Sequence, residues 1–147
     1  MTDASSTPPL PVTIQRGDYR PYEWAIPQID LDFALDAQST RVTATLTIER
    51  QSEAPAPLLL RGDGLTAAAV RVDGAELNDW RMEGPDLIVD LGERNAAKVS
   101  VDTVINPSTN TQLMGLYASG GMLATQCESE GFRRITYFPD RPDVLAP

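Results

Sequence analysis

The sequence contains no histidine. That absence removes every mechanism built on an imidazole from this chain, including Ser-His-Asp and Cys-His nucleophilic catalysis, a HExxH zinc site and a histidine pH switch. Cysteine occurs once, at Cys127, which excludes an internal disulfide framework and any CxxC metal clip. No apolar run approaches the roughly 20 residues needed to span a bilayer. The opening Met1-Thr2-Asp3-Ala4-Ser5-Ser6-Thr7-Pro8-Pro9 has neither the basic nor the apolar region of an export signal. One free thiol without such a signal predicts a reducing, cytoplasmic setting. Basic residues are the minority, 12 Lys and Arg against 21 Asp and Glu, for a net charge of −9. Nucleic acid and anionic membranes both require a basic face, so neither is expected as a partner. The acidic surface reads first as a solubility feature.

What is present is an ordinary globular composition, 147 residues with 41% hydrophobic and 22% charged, enough for one domain with its own core. Residues 1–17 read as a disordered or extended N-terminus, rich in Ser, Thr and Pro over its first part. Asp18-Tyr19-Arg20-Pro21-Tyr22-Glu23-Trp24 follows as an extended, aromatic lead-in whose rings pack on the domain edge.

The clearest pattern is period-two alternation. Ile29, Leu31, Phe33 and Leu35 alternate with Asp30, Asp32, Ala34 and Asp36. After a short polar turn, Val42, Ala44, Leu46 and Ile48 alternate with Arg41, Thr43, Thr45, Thr47 and Glu49. Each run predicts a strand with one buried face, and the pair predicts a hairpin. The spaced aspartates line a solvated strand face, and a calcium cluster is the weaker reading. Leu58-Leu59-Leu60-Arg61 predicts a short strand buried on both faces. Leu65 to Val72, Ala75 to Met82, Leu87 to Leu91 and Lys98 to Ile105 predict further strands, with Asp73-Gly74 as a tight turn. Leu113 to Ala124 predicts a hairpin turning at Ser119-Gly120-Gly121. The charged stretch from Arg133 to Asp143 carries two prolines and reads as irregular. Turns recur roughly every eight to twelve residues with no sustained helical period, so the fold class is all-β, an antiparallel saddle-like sheet or sandwich with an irregular C-terminal segment.

The chemistry concentrates in Thr125-Gln126-Cys127-Glu128-Ser129-Glu130-Gly131-Phe132-Arg133. Glu128 and Glu130 would point to nearly opposite sides of an extended chain, which does not suit an acid/base couple flanking one bond. A buried carboxylate beside an amide suits the gripping of a cationic amine, since an ammonium offers three donors. The competing reading is structural, with Gln126 and Glu128 capping loop amides and Cys127 as a small core residue. Cys127 as a nucleophile lacks a histidine to activate it.

Leu116-Tyr117, the run from Thr125 to Tyr137 and Asp140-Arg141-Pro142-Asp143-Val144-Leu145 together resemble the N-terminal domain of the M1 family of zinc aminopeptidases, in its bacterial aminopeptidase N branch. Asp18-Tyr19-Arg20, Asp30-Leu31-Asp32-Phe33 and Thr40-Arg41-Val42-Thr43 resemble the opening of the same domain, so the similarity covers residues 18–147. It implies a β-rich domain leaning on a thermolysin-like catalytic domain, which would be this chain's missing partner. It also implies a Gln-Cys-Glu loop whose positions Gln126 and Glu128 bind the α-amine of a peptide substrate. The family's zinc motif, its Gly-x-Met-Glu-Asn loop and its transition-state tyrosine are absent here. The resemblance therefore implies a domain incomplete at its C-terminal end, with no catalytic or metal-binding residue of its own. Zinc would belong to the full-length enzyme, and the fragment alone would be inactive. The alternative function is a stand-alone acidic β-sandwich interaction module.

Overall fold

The computed structural model describes residues 13–146. The first 12 residues of the expected disordered or extended stretch 1–17 lie outside the described residues. Of the remainder, Arg16–Asp18 form a short 3-10 turn, exposed throughout.

The chain is all-β with antiparallel pairing throughout the described residues. Strands β1 (Trp24–Ala34) and β2 (Thr40–Arg50) form the expected hairpin. Their register sets Leu31 opposite Ala44 and Phe33 opposite Val42, with Asp30 and Asp32 opposite Thr45 and Thr43. It shifts once, between Ala25 and Gln28, where Pro27 has no N–H to donate to the ladder. β3 (Leu58–Leu60), β4 (Ala67–Val72), β5 (Ala75–Glu76), β6 (Trp80–Glu83), β7 (Asp86–Val89) and β8 (Ala96–Ile105) follow. β9 (Gly115–Ser119) and β10 (Met122–Gln126) close the order. They assemble into a five-stranded sheet β1-β2-β8-β4-β5, a three-stranded sheet β3-β7-β6 and the two-stranded hairpin β9-β10. The Asp73-Gly74 link between β4 and β5 has positive φ at both residues, 51° and 82°, as the type I′ hairpin turn requires.

One core joins the two larger sheets. The inward residues of β2, Ala44, Leu46 and Ile48, are fully buried with Val99 and Val101 of β8, Leu58 and Leu60 of β3, and Leu87 and Val89 of β7. Trp24 and Tyr22 complete it at the domain edge, donating to the carbonyls of Pro57 (3.2 Å) and Leu59 (2.6 Å). Rings packed on an edge are therefore seen for these two, whereas Tyr19 is exposed. A second, smaller cluster of Val42, Leu116 and Ile135 fixes the β9-β10 hairpin to the far end of the large sheet.

Two expectations are corrected. Ala75 to Met82 is not one strand: β5 stays with the large sheet, the chain leaves it at 77–79, and β6 joins the small sheet. The apolar face of β1 is also not uniformly buried. Ile29 is partly buried, but Leu31, Phe33 and Leu35 are 37%, 36% and 60% exposed. Alternation identifies the face of a strand; whether another layer reaches that face depends on tertiary packing. Among the described residues β1 is an edge strand, and the core covers only its first half.

Among the described residues, no helix is long and apolar enough to cross a membrane.

Candidate functional site

β10 carries the chain to Gln126, paired with Gly115 of β9. Cys127 leaves the strand, and residues 128–131 turn back into a 3-10 turn at Phe132–Arg134. The reversal is tight. Ser129 and Glu130 both adopt left-handed backbone, with φ of 45° and 69°, a conformation uncommon for residues with side chains. Gly131 is buried and lies directly against the backbone of Gln126 and Cys127.

The foot of the loop is held by charge. The Arg133 guanidinium donates through Nε to the Asp140 carboxylate (2.8 Å) and through Nη2 to the Asp140 carbonyl (3.0 Å). The Arg133 carbonyl accepts from the amide of Asp63 at 2.9 Å, and Arg134 pairs with the Asp63 carboxylate at 2.7 Å. Phe132 meets Phe138 edge to face, with centroids 5.3 Å apart. Phe138 bridges back to Arg61 by a reciprocal pair of backbone bonds of 2.8 and 3.2 Å. The loop is thus stapled to the segment that follows β3.

Gln126 and Glu128 are both exposed, and neither side chain hydrogen-bonds to another described residue. The capping role open to them in the sequence has no hydrogen bond to support it, and Cys127 is exposed instead of filling a core position. Partial desolvation of the sulfur, with the Asp140 carboxylate as a second cause, pushes the Cys127 thiol above its ordinary value. That moves it away from the thiolate a nucleophile needs. Glu128 is likewise exposed, and the burial imagined for an amine-gripping carboxylate is not supplied by the described residues. A cleft of about 420 Å³ opens beside Arg134, lined by Asp63, Asn106, Asn110 and Gln112 among others, but it includes neither Gln126 nor Glu128. The loop therefore presents two acceptors on an open surface. Among the described residues no three His, Cys, Asp or Glu side chains converge to hold a metal.

The supports of the loop were not legible beforehand. Arg133 and Asp140 stand in the sequence within the charged and family-resembling stretches, with nothing there to pair them with each other. Asp140 itself has left-handed backbone, φ 47°, which no spacing rule announces. Gly131 was visible as part of a Gly-Phe step, though not what it lies against.

No family model matches the chain. Solved structures share the fold. The chain superposes on an M1 zinc metallopeptidase from Deinococcus radiodurans with a TM-score of 0.70 at 17% identity, over 84% of this chain and 31% of that one. It also superposes on Legionella pneumophila aminopeptidase A, solved with aspartic acid, with a TM-score of 0.77 at 27% identity, over 88% of this chain and 16% of that one. The fold is one shared with part of each of these two enzymes.

The sequence comparison is more specific. The chain is 46% identical to aminopeptidase N of Escherichia coli (strain K12) over 132 residues, and 41% identical to aminopeptidase N of Caulobacter vibrioides over 138 residues. These alignments cover 89% and 92% of this chain but only 15% and 16% of the relatives. The chain is homologous to the N-terminal region of aminopeptidase N, and spans about one-sixth of the length of the curated relatives it matches.

Proposed function

We propose that this chain is the substrate-gripping part of a zinc aminopeptidase, in which Gln126 and Glu128 hold the free α-ammonium of a peptide. Two acceptors without internal partners, carried on a loop whose foot is fixed by Arg133, Asp140 and Asp63, support this reading. An α-ammonium donates three hydrogen bonds. The Glu128 carboxylate supplies a charge-assisted acceptor and the Gln126 carbonyl a directional neutral one. Holding the amine at a fixed place sets the register of the peptide, so that one residue lies between the grip and the bond to be cleaved. Such a grip acts best where water is excluded, and an open loop needs a second surface to close over it.

The metal implied by the M1 relatives does not fit this chain, which has no histidine and no convergent ligand set among the described residues. No step of the hydrolysis is assigned to these residues. In this reading zinc and the catalytic domain belong to the remaining polypeptide of the full-length protein. The uncovered apolar side of β1 at Leu31 and Phe33, continued by Leu35 just beyond the strand, is where that polypeptide would pack.

The test is the full-length protein, assayed for chelator-sensitive release of a chromophore from alanyl and leucyl anilides. Glu128→Ala is expected to lower kcat/KM by about two orders of magnitude, on the scale of 2–5 kcal/mol for truncating one partner of a buried charge pair. Unchanged kcat/KM would remove the assigned role.

A further inference from the structure

We propose that Gly131, braced by Arg133, is a positioning residue for this amine grip; the inference rests on the reading that Gln126 and Glu128 hold the ammonium. The backbone of Gly131 is ordinary, φ −81° and ψ −21°, so its need for glycine is one of space, not of conformation. A Cβ at this position would stand 2.8 Å from the Cys127 Cα, 2.9 Å from the Gln126 carbonyl oxygen and 3.0 Å from the Cys127 carbonyl carbon. All three are backbone atoms, and the first two lie closer than 3.0 Å, a separation that real Cβ atoms essentially never show to non-bonded atoms. No flexible side chain is there to swing aside, so a methyl group at 131 must displace main chain.

The displacement has one direction open to it. On the C-terminal side of Gly131, the Phe132–Arg134 turn is held by two guanidinium bonds from Arg133 to Asp140, by the bond from the Asp63 amide to the Arg133 carbonyl, and by the Arg134–Asp63 ion pair. On the other side, the chain from Cys127 to Glu130 is exposed and already turns through two left-handed residues, and its tie to the foot is a long ion pair of 3.4 Å between the Arg133 guanidinium and the exposed Glu130 carboxylate. The strand end and the turn will therefore give way first. Gln126 and Glu128 flank the residue being pushed, so both acceptors move together. Misplacement by about 1 Å in a preorganised site lowers rates on the order of a hundredfold.

A loss of grip is separable from a loss of fold by comparing ligands with and without the amine. In the full-length protein, the affinities of leucine hydroxamate and its des-amino counterpart, 4-methylpentanohydroxamate, would be measured by calorimetry for wild type, Gly131→Ala, Arg133→Lys and Glu128→Ala. The preference for the amine-bearing ligand is expected to fall at least tenfold in Gly131→Ala and severalfold in Arg133→Lys, with the des-amino affinity unchanged. If Gly131→Ala does not fold, Arg133→Lys decides alone, since it keeps the charge and loses the fork that holds Asp140. An unchanged preference, or an equal loss for both ligands, in the variant that folds would overturn the proposal. Glu128→Ala is the control for the underlying reading: if it keeps the full preference, the amine grip itself fails, whatever the other variants do.

Discussion

Gly62 lies directly against the edge carbons Cδ1 and Cε1 of the Tyr137 ring. A methyl group on Gly62 would stand 2.8 Å from Tyr137 Cδ1 and 2.9 Å from the carbonyl oxygen of Pro85. The ring cannot withdraw, because Tyr137 is fully buried and its hydroxyl donates to the Leu65 carbonyl at 3.0 Å. Gly62→Ala is therefore expected to destabilise the fold by about 1–3 kcal/mol, the range for overpacking a filled interior. Urea unfolding gives the comparison directly, and a midpoint equal to wild type would show that the ring has room this geometry does not provide.

Asp102 on β8 is the buried acid of the large sheet, 5% exposed. It accepts from the Thr43 hydroxyl at 2.8 Å on one oxygen and from the Arg71 guanidinium on the other. The Arg71 bond is the main cause of a carboxyl held below its ordinary range, with Thr43 a lesser one and burial opposing. Asp102→Ala strands the Thr43 hydroxyl and releases Arg71, which is 37% exposed and so recovers part of its hydration. The expected loss is about 1–3 kcal/mol, measurable by denaturant unfolding. Because the charged form is the one stabilised, the difference from wild type should persist at neutral pH and shrink in acid.

Asp143 offers a sharper pH signature. It takes two bonds from Arg141, 2.8 and 2.7 Å, and one from the Tyr19 hydroxyl at 3.0 Å, tying the C-terminal segment to the lead-in. The Arg141 bonds, as the leading cause, hold its carboxyl down to about 2. A depressed folded value means that the contribution is complete above the unfolded value, about 3.9, and is lost as pH falls through about 2. Comparing wild type with Asp143→Asn by urea unfolding should give a constant difference above about pH 5 that closes between about pH 4 and 2. Its size should be small, roughly 0.5–1 kcal/mol, because solvent screens the pair. A difference that stays the same down to pH 2 would mean that the charge is not what Asp143 contributes.

These contacts mark the boundary of what the sequence discloses. Alternation located β2 and its inward set Val42, Ala44, Leu46 and Ile48, all of which are buried, because period two is a local property of the extended chain. Asp73-Gly74 and Ser119-Gly120-Gly121 announced their turns because positive φ restricts residue choice locally. The split of Ala75 to Met82 between two sheets was hidden, since both halves are extended and only the third dimension separates them. The loop from Gln126 to Arg133 was legible as chemistry and as a resemblance. Its anchorage was not: Asp63 and Arg134 lie 71 positions apart and meet only through the path of the fold. Exposure of Leu31 and Phe33 was equally out of reach, because a strand records which face is apolar and not what covers it.

That face yields the remaining prediction. Among the described residues β1 is an edge strand with one hydrogen-bonded neighbour, β2, and Leu31, Phe33 and Leu35 leave apolar surface in water. An open edge beside exposed apolar side chains favours association. The isolated chain is therefore expected to enhance the fluorescence of a hydrophobic dye and to self-associate as concentration rises. Leu31→Lys with Phe33→Lys should suppress both, because lysines on an edge oppose pairing. The two side chains are already more than one-third exposed, so each substitution should change folding stability by only about 0.5 kcal/mol. The full-length protein should bind little dye if its remaining polypeptide covers the face. Equal dye binding per domain in the two forms would show that the face stays open, and would remove β1 as the docking side.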